Sequence, residues 1–232
     1  MTCDFKGRNV VITGGTGALG RAIVGALLDA GAACHIPYRS ARDVEGFAFR
    51  RHPGVSLSPD IELSDEAAVT RLFSNTGALW ASIHIAGGFA AKAVADTSKA
   101  DLMQQIDTNL VSTFLCCRAA VSAMQGGGRI VNVTARPALE WRTGAGMTAY
   151  TASKAAVAAL TVALAEEVAK DGILVNAVAP SIMDTPTNRK AMPKADFDKW
   201  PKVEEVAATI LFLASPDNKV TRGAIMPVYG ET

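Results

Sequence analysis

Tyr150 and Lys154 stand four residues apart in an alanine-rich stretch whose pattern predicts a helix over Tyr150–Lys170. Side chains at that spacing share one helix face, so a phenol and an ammonium would point into one volume. A phenol with a pKa of roughly 10 is a sluggish proton donor or acceptor at neutral pH. A neighbouring ammonium favours the phenolate, which is how a tyrosine is brought into acid–base range. The pair therefore predicts proton transfer at Tyr150 with Lys154 as its tuning charge.

A second chemical feature lies near the start of the chain. The apolar run Asn9–Thr13 leads into Gly14-Gly15-Thr16-Gly17-Ala18-Leu19-Gly20, and a helical pattern follows from Arg21 to Ala30. Gly15, Gly17 and Gly20 satisfy G-x-G-x-x-G in the strand–turn–helix setting of a dinucleotide site. Glycines permit the tight turn and close backbone approach, and the helix N-terminus offers unpaired N–H groups to a pyrophosphate.

The elements that must carry these residues alternate along the chain. Strands are predicted at Asn9–Thr13, Ala33–Tyr38, Gly54–Ser58, Ala81–Ala86, Arg129–Thr134, Leu174–Ala179 and Ala224–Val228. Helices are predicted at Glu66–Ser74, Asp107–Met124, Tyr150–Lys170 and Val203–Ala214, with an exposed helix start at Lys99 and Asp101. Such alternation implies a single α/β Rossmann domain over residues 1–232, a doubly wound, seven-stranded parallel sheet with helices on both faces. The glycine turn, Ala86-Gly87-Gly88, the Thr134 region and Pro180 all follow strands, so they converge on one rim, where ligands of this architecture bind.

Together these motifs resemble the short-chain dehydrogenase/reductase family over nearly the whole chain. Thr13-Gly14 with Gly20 is similar to the family's T-G-x-x-x-G-x-G, with Ala18 at the middle glycine and Gly17 one residue earlier. Tyr150-x-x-x-Lys154 matches the catalytic pair, and Asn109 the asparagine that holds a proton-relay water. Pro180-Ser181-Ile182-Met183-Asp184-Thr185 is similar to P-G-x-x-x-T, whose threonine meets the nicotinamide carboxamide. His84-Ile85-Ala86-Gly87 stands where N-N-A-G is usual. The resemblance implies cofactor contacts at Gly14, Gly15, Thr16, Gly17, Leu19, Gly20, Ala86, Gly87, Gly88, Tyr150, Lys154, Pro180, Ile182 and Thr185. Glu62 and Leu63 fall near the adenine-contact position, with Asp60 an equally good candidate.

Cofactor choice rests on the end of the second strand. Ile36-Pro37-Tyr38-Arg39-Ser40 offers no acid for a ribose 2′-hydroxyl, and Arg39 suits a 2′-phosphate, so NADP(H) is expected over NAD(H). The family's catalytic serine is missing: counting along the strand reaches Ala135, and counting back from Tyr150 reaches Pro137. Neither side chain donates a hydrogen bond. Thr134 is the expected replacement, with Thr148 a second candidate. The segment Asp184–Pro193 with Ala195-Asp196-Phe197 and Trp200 resembles the dihydropteridine reductases, a branch of the same superfamily with a small apolar residue at the serine position. Three functions follow: an oxidoreductase of small or medium carbonyl and alcohol substrates, a pterin-like C=N reductase, or a cofactor-binding regulatory protein with weak turnover.

A substrate lid is expected at about 181–202. Phe89, Trp141, Met147, Met192, Phe197 and Trp200 are candidates to line an apolar pocket, with Phe197 and Trp200 equally suited to anchoring the lid. Arg136 and Arg142 are either substrate contacts or solvated loop residues.

Composition narrows the partners. The chain has 232 residues, 49% hydrophobic and 19% charged, with a formal net charge of +1. That balance gives no electrostatic case for nucleic acid or an anionic membrane. No apolar stretch of spanning length is read, and Met1–Lys6 lacks a signal-peptide core, so a cytoplasmic protein is expected. Cys3, Cys34, Cys116 and Cys117 are expected as reduced thiols. His35, His52 and His84 are scattered, and no metal is expected. Family members commonly pair the two long helices, which implies a homodimer or homotetramer.

Overall fold

The computed structural model describes residues 4–232; Cys3 lies outside them. Seven parallel strands form one sheet in the order β3-β2-β1-β4-β5-β6-β7. They are β1 (Asn9–Thr13), β2 (Ala33–Pro37), β3 (Val55–Ser58), β4 (Leu79–His84), β5 (Gly128–Val133), β6 (Ile173–Pro180) and β7 (Ile225–Val228). All seven expected strands are present. The helices are α1 (Ala18–Asp29), α2 (Glu66–Ser74), α3 (Lys99–Gln105), α4 (Ser112–Ala123), α5 (Thr148–Glu167), α6 (Pro186–Ala191) and α7 (Val203–Ala214).

Two apolar layers hold the helices to the sheet. Ile23, Val24 and Leu27 of α1 and Val206, Ile210 and Leu213 of α7 pack with Val10, Ile12, Ile83 and Val131 on one face. Val69 and Leu72 of α2, Leu115 and Cys116 of α4 and Ala165 of α5 pack with Val11, Ile130 and Val175 on the other. Burial on both faces is why the strands read as continuous apolar runs instead of alternating ones. Strand order reverses between β1 and β4, and the crevice beyond their C-terminal ends is the topological switch point.

Three departures from expectation have physical causes. The helix start expected at Lys99 and Asp101 is present, and the segment expected as a separate helix from Asp107 continues from it; Ser98 and Asp101 form a reciprocal cap, Asp101 N donating to Ser98 Oγ at 3.1 Å and Ser98 N to Asp101 Oδ2 at 2.8 Å. The helix then passes through a π-helical turn, Ile106–Val111, before α4. The third departure is α5, whose 20 residues are long and apolar enough to span a membrane by composition. Its buried stripe, Ser153, Lys154, Val157, Thr161 and Ala165, includes two hydroxyls and an ammonium and marks it as a core helix.

A buried polar chain ties the sheet to α4 and α5. His84 Nδ1 lies 2.8 Å from Asn132 Oδ1, Ser82 Oγ lies 2.7 Å from His84 Nε2, and Asn132 Nδ2 donates to Thr161 Oγ1 at 2.9 Å. Because Asn132 presents its oxygen to the ring, the neutral imidazole carries its proton on Nδ1 and accepts from Ser82. Burial pushes His84 down to about 4. Cys117 adjoins the same ring at 3.6 Å, and burial pushes its thiol up to about 12, so it is an inert core group.

Candidate active site

The glycine turn is shaped by backbone approach. Gly14 has φ +69°, a left-handed conformation, and a Cβ there would sit 2.8 Å from Ala86 N. A Cβ on Gly20 would overlap Gly14 O and sit 2.6 Å from Gly15 Cα. Only glycine fits either place. Gly17 caps α1 without a side chain, and no acid occupies the first helical turn. The first N–H groups and the positive end of α1 therefore face an open crevice suited to an anion.

That crevice is a cavity of about 510 Å³. It gathers the expected residues Gly14, Thr16, Gly17, Leu19, Gly20, Arg39, Glu62, Leu63, Ala86 and Gly87. Gly15 lies behind the wall against Ile36. Glu62 and Leu63 line it and Asp60 does not. Thr13 braces the β4 side, its Oγ1 accepting from Ala86 N at 3.2 Å. The size, the glycine cradle and the bare helix end fit a dinucleotide.

Neither Lys154 nor Tyr150 lines that cavity; Lys154 stands behind Gly87, which does, its Nζ 3.2 Å from where a Gly87 Cβ would be. It is buried and donates to Val133 O at 2.9 Å, and burial lowers its pKa to about 8. Tyr150, one helical turn earlier, meets Phe89 edge-on with ring centroids 5.0 Å apart. Burial pushes its phenol up to about 12, so the tyrosine is protonated at neutral pH. The sequence suggests a phenol lowered by its lysine; here the ammonium is aimed at a carbonyl of β5, and desolvation dominates.

Asn109 is buried in the π-helical turn and clamps Gly88 from both sides. Its Oδ1 accepts from Gly88 N at 2.9 Å, and its Nδ2 donates to Gly88 O at 3.0 Å. The same Nδ2 approaches Ser153 Oγ at 3.1 Å, and Ser153 Oγ donates to Tyr150 O at 2.7 Å. Asn109 thus joins the turn after β4 to the helix bearing Tyr150. Ser153, which the motif spacing skips over, is the intermediate link.

Thr134 does not take the place expected of it. Its hydroxyl is buried and donates to Lys154 O at 2.7 Å, pinning α5 to the end of β5. That proton is unavailable to a substrate carbonyl. Ala135 is buried, Pro137 lies in a short 3-10 turn, and Thr148 is exposed at the start of α5. Arg136 pairs with Glu140 at 2.7 Å and stacks on Tyr229, while Arg142 is exposed.

None of residues 180–202 lines that cavity. Pro180 ends the strand in the core, and Ile182 is exposed. Thr185 caps α6, its oxygen accepting from Asn188 N at 3.2 Å, which leaves its O–H free to donate. Asp184 pairs with Lys202 at 2.7 Å and with Arg189 at 2.8 Å, with only 9% of its side chain exposed. Phe197 and Trp200 pack together at 5.0 Å and Trp200 is buried, so this pair anchors the segment. Phe89 and Trp141 are exposed instead. Arg39 reaches Glu62, and Asp43, which sequence reading passed over, also lines the cavity. Its signal was Ser40-x-x-Asp43, a capping spacing that folds the acid back onto the strand end. Among the described residues no group of His, Cys, Asp and Glu is arranged to hold a metal.

Residues 15–230 match the family model described as enoyl-(acyl carrier protein) reductase. Galactitol 2-dehydrogenase of Rhizobium johnstonii is 34% identical over 242 residues, covering 97% of this chain and 94% of that protein. The fold superimposes on a short-chain type dehydrogenase/reductase from Mycobacterium ulcerans with a TM-score of 0.90, 23% identity, and coverage of 98% and 90% of the two chains. ElxO with NADP bound gives a TM-score of 0.86 at 26% identity, covering 96% and 97%. With a dinucleotide cradle and a Tyr-x-x-x-Lys helix on one rim, the protein is a nucleotide-dependent oxidoreductase in class. The chain belongs to the short-chain dehydrogenase/reductase family.

Proposed function

We propose that the protein is an NADP(H)-dependent reductase or dehydrogenase acting on small or medium carbonyl and alcohol substrates. One observation carries the reading: buried Lys154, with Tyr150 on the same helix face, stands against Gly87, which lines the glycine-floored cavity. The nicotinamide, when bound, supplies or accepts the hydride. Gly14, Gly17 and Gly20 hold the pyrophosphate, Lys154 the nicotinamide ribose, and the free hydroxyl proton of Thr185 the carboxamide.

Tyr150 manages the proton. A phenol held near 12 keeps its proton at neutral pH and is suited to donate it to a carbonyl oxygen as hydride reaches the carbon. Asn109 supports the relay by fixing Gly88 and, through Ser153, the Tyr150 turn. Residues 181–202 form the substrate lid, closed at its base by Asp184 and Lys202. The expected preference for NADP(H) rests on Arg39 at the cavity mouth, and ElxO, with NADP bound, is a precedent in a similar fold.

Ala135 and Pro137 favour a second reading. With no side-chain donor at either position, a substrate whose electrophilic carbon is already activated, such as a quinonoid dihydropterin or another C=N compound, would need less help from the strand end. A homodimer or homotetramer through α4 and α5 is supported by the exposed Phe114 and Val162 on those helices; light scattering checks it, and a monomer would refute it. The function is tested by NADPH-dependent turnover across ketones, aldehydes and quinonoid dihydropterin. Activity on ketones alone removes the second reading, and absence of turnover with every substrate despite tight NADPH binding removes both.

A further inference from the structure

Arg39 follows β2 and Glu62 follows its neighbour, the edge strand β3, and the two meet across the cavity mouth, Nη1 lying 3.7 Å from Oε2. Both side chains are mostly exposed. Asp43 sits beside them, in the 3-10 turn Ala41–Val44 that follows β2. One of its oxygens accepts from Arg39 N at 2.9 Å and Ser40 N at 2.8 Å, and these N–H groups hold its carboxyl below the usual range. All three residues line the cavity, and Arg42 of the same turn does not. The corner that would receive the adenosine ribose therefore carries one guanidinium against two carboxylates.

We infer that Glu62 is a specificity-determining residue, whose carboxylate competes with a 2′-phosphate for Arg39 and so attenuates the preference for a phosphorylated dinucleotide. This rests on the NADP(H) reading above. A phosphate that engages Arg39 weakens the guanidinium's pair with Glu62 and lies beside two carboxylates, Glu62 and Asp43. A ribose with a free 2′-hydroxyl has no such exchange to make. An exposed pair opens readily, so the effect is attenuation and not exclusion. One unit charge acting at this range through water alters an affinity about 5-fold.

Adenosine 2′,5′-bisphosphate and adenosine 5′-monophosphate differ only by the 2′-phosphate, and calorimetric titration with each gives their affinity ratio. Glu62→Gln keeps the shape and an acceptor oxygen. It is expected to raise the bisphosphate-to-monophosphate ratio about 5-fold. Arg39→Met is expected to collapse the ratio towards one or below, and in that background Glu62→Gln should still raise it, by removing one charge beside the phosphate. A ratio unmoved by Glu62→Gln while Arg39→Met collapses it overturns this inference and leaves the cofactor reading standing. A wild type that favours the monophosphate and is insensitive to Arg39→Met overturns both.

Discussion

Replacing Lys154 by methionine should stabilise the protein while disabling it. The buried ammonium has its pKa lowered from 10.5 to about 8 by desolvation. At about 1.4 kcal/mol per pH unit, keeping it charged costs the folded state about 3 kcal/mol at neutral pH. Methionine has a similar length and no charge, but it leaves Val133 O without its 2.9 Å donor. That loss returns about 1–2 kcal/mol, so the variant should be more stable by about 1–2 kcal/mol at neutral pH. The pH dependence gives the sign. Between about 8 and 10.5 the unfolded lysine still binds its proton and the folded one has released it, so wild-type stability rises across that window. The variant's advantage should be full below about 8 and should turn into a deficit of about 1–2 kcal/mol by 10.5, where only the lost bond to Val133 O remains. Urea unfolding of both proteins at matched pH measures the difference directly. Turnover should meanwhile fall about 10²-fold, because the ribose anchor and the charge beside Tyr150 are lost. A variant less stable than wild type at neutral pH, or a difference constant with pH, would refute the assignment of Lys154 as a buried, strained cation.

Other substitutions separate binding, packing and chemistry. Gly20→Ala drives a Cβ into the backbone of Gly14 and Gly15; thermal unfolding should show a loss of about 1–3 kcal/mol, and NADPH titration a loss of most affinity. Thr134→Val removes the bond to Lys154 O while keeping the shape; about 1 kcal/mol of stability should go, with turnover changed only a few-fold. A loss nearer 10²–10³ in turnover would return Thr134 to the catalytic role. Asp184→Asn breaks the pairs with Arg189 and Lys202. Protease cleavage within 181–202 should accelerate and substrate KM rise, with kcat less affected; unchanged cleavage would contradict the proposed base of the lid.

How far sequence could reach depended on the range of the interaction. The seven strands were legible because parallel strands buried on both faces read as uninterrupted apolar runs, such as Val10-Val11-Ile12. The glycine turn was legible because its backbone demands are local. The orientation of Thr134 was not, since the strand end leaves open whether a hydroxyl faces the substrate or the carbonyl of Lys154, 20 residues on. Spacing likewise put Lys154 on the face of Tyr150 without revealing that its Nζ is aimed at Val133 O. His84 showed only the lack of an asparagine; its bonds to Ser82 and Asn132 exist only once β4 and β5 are side by side. Asp43 is local by contrast: Ser40-x-x-Asp43 is a capping pattern that carries the acid back to Arg39 N and Ser40 N.

The central claim is that a nicotinamide lies between the glycine cradle and Tyr150. Coordinates of the protein crystallised with NADPH test it most directly. The expected result is a nicotinamide ribose bonded to Lys154, with the ring beside Tyr150 and C4 facing an opening where a substrate carbon can approach to about 3–3.5 Å. A dinucleotide bound elsewhere, or bound here with its nicotinamide turned away from Tyr150, would contradict the account.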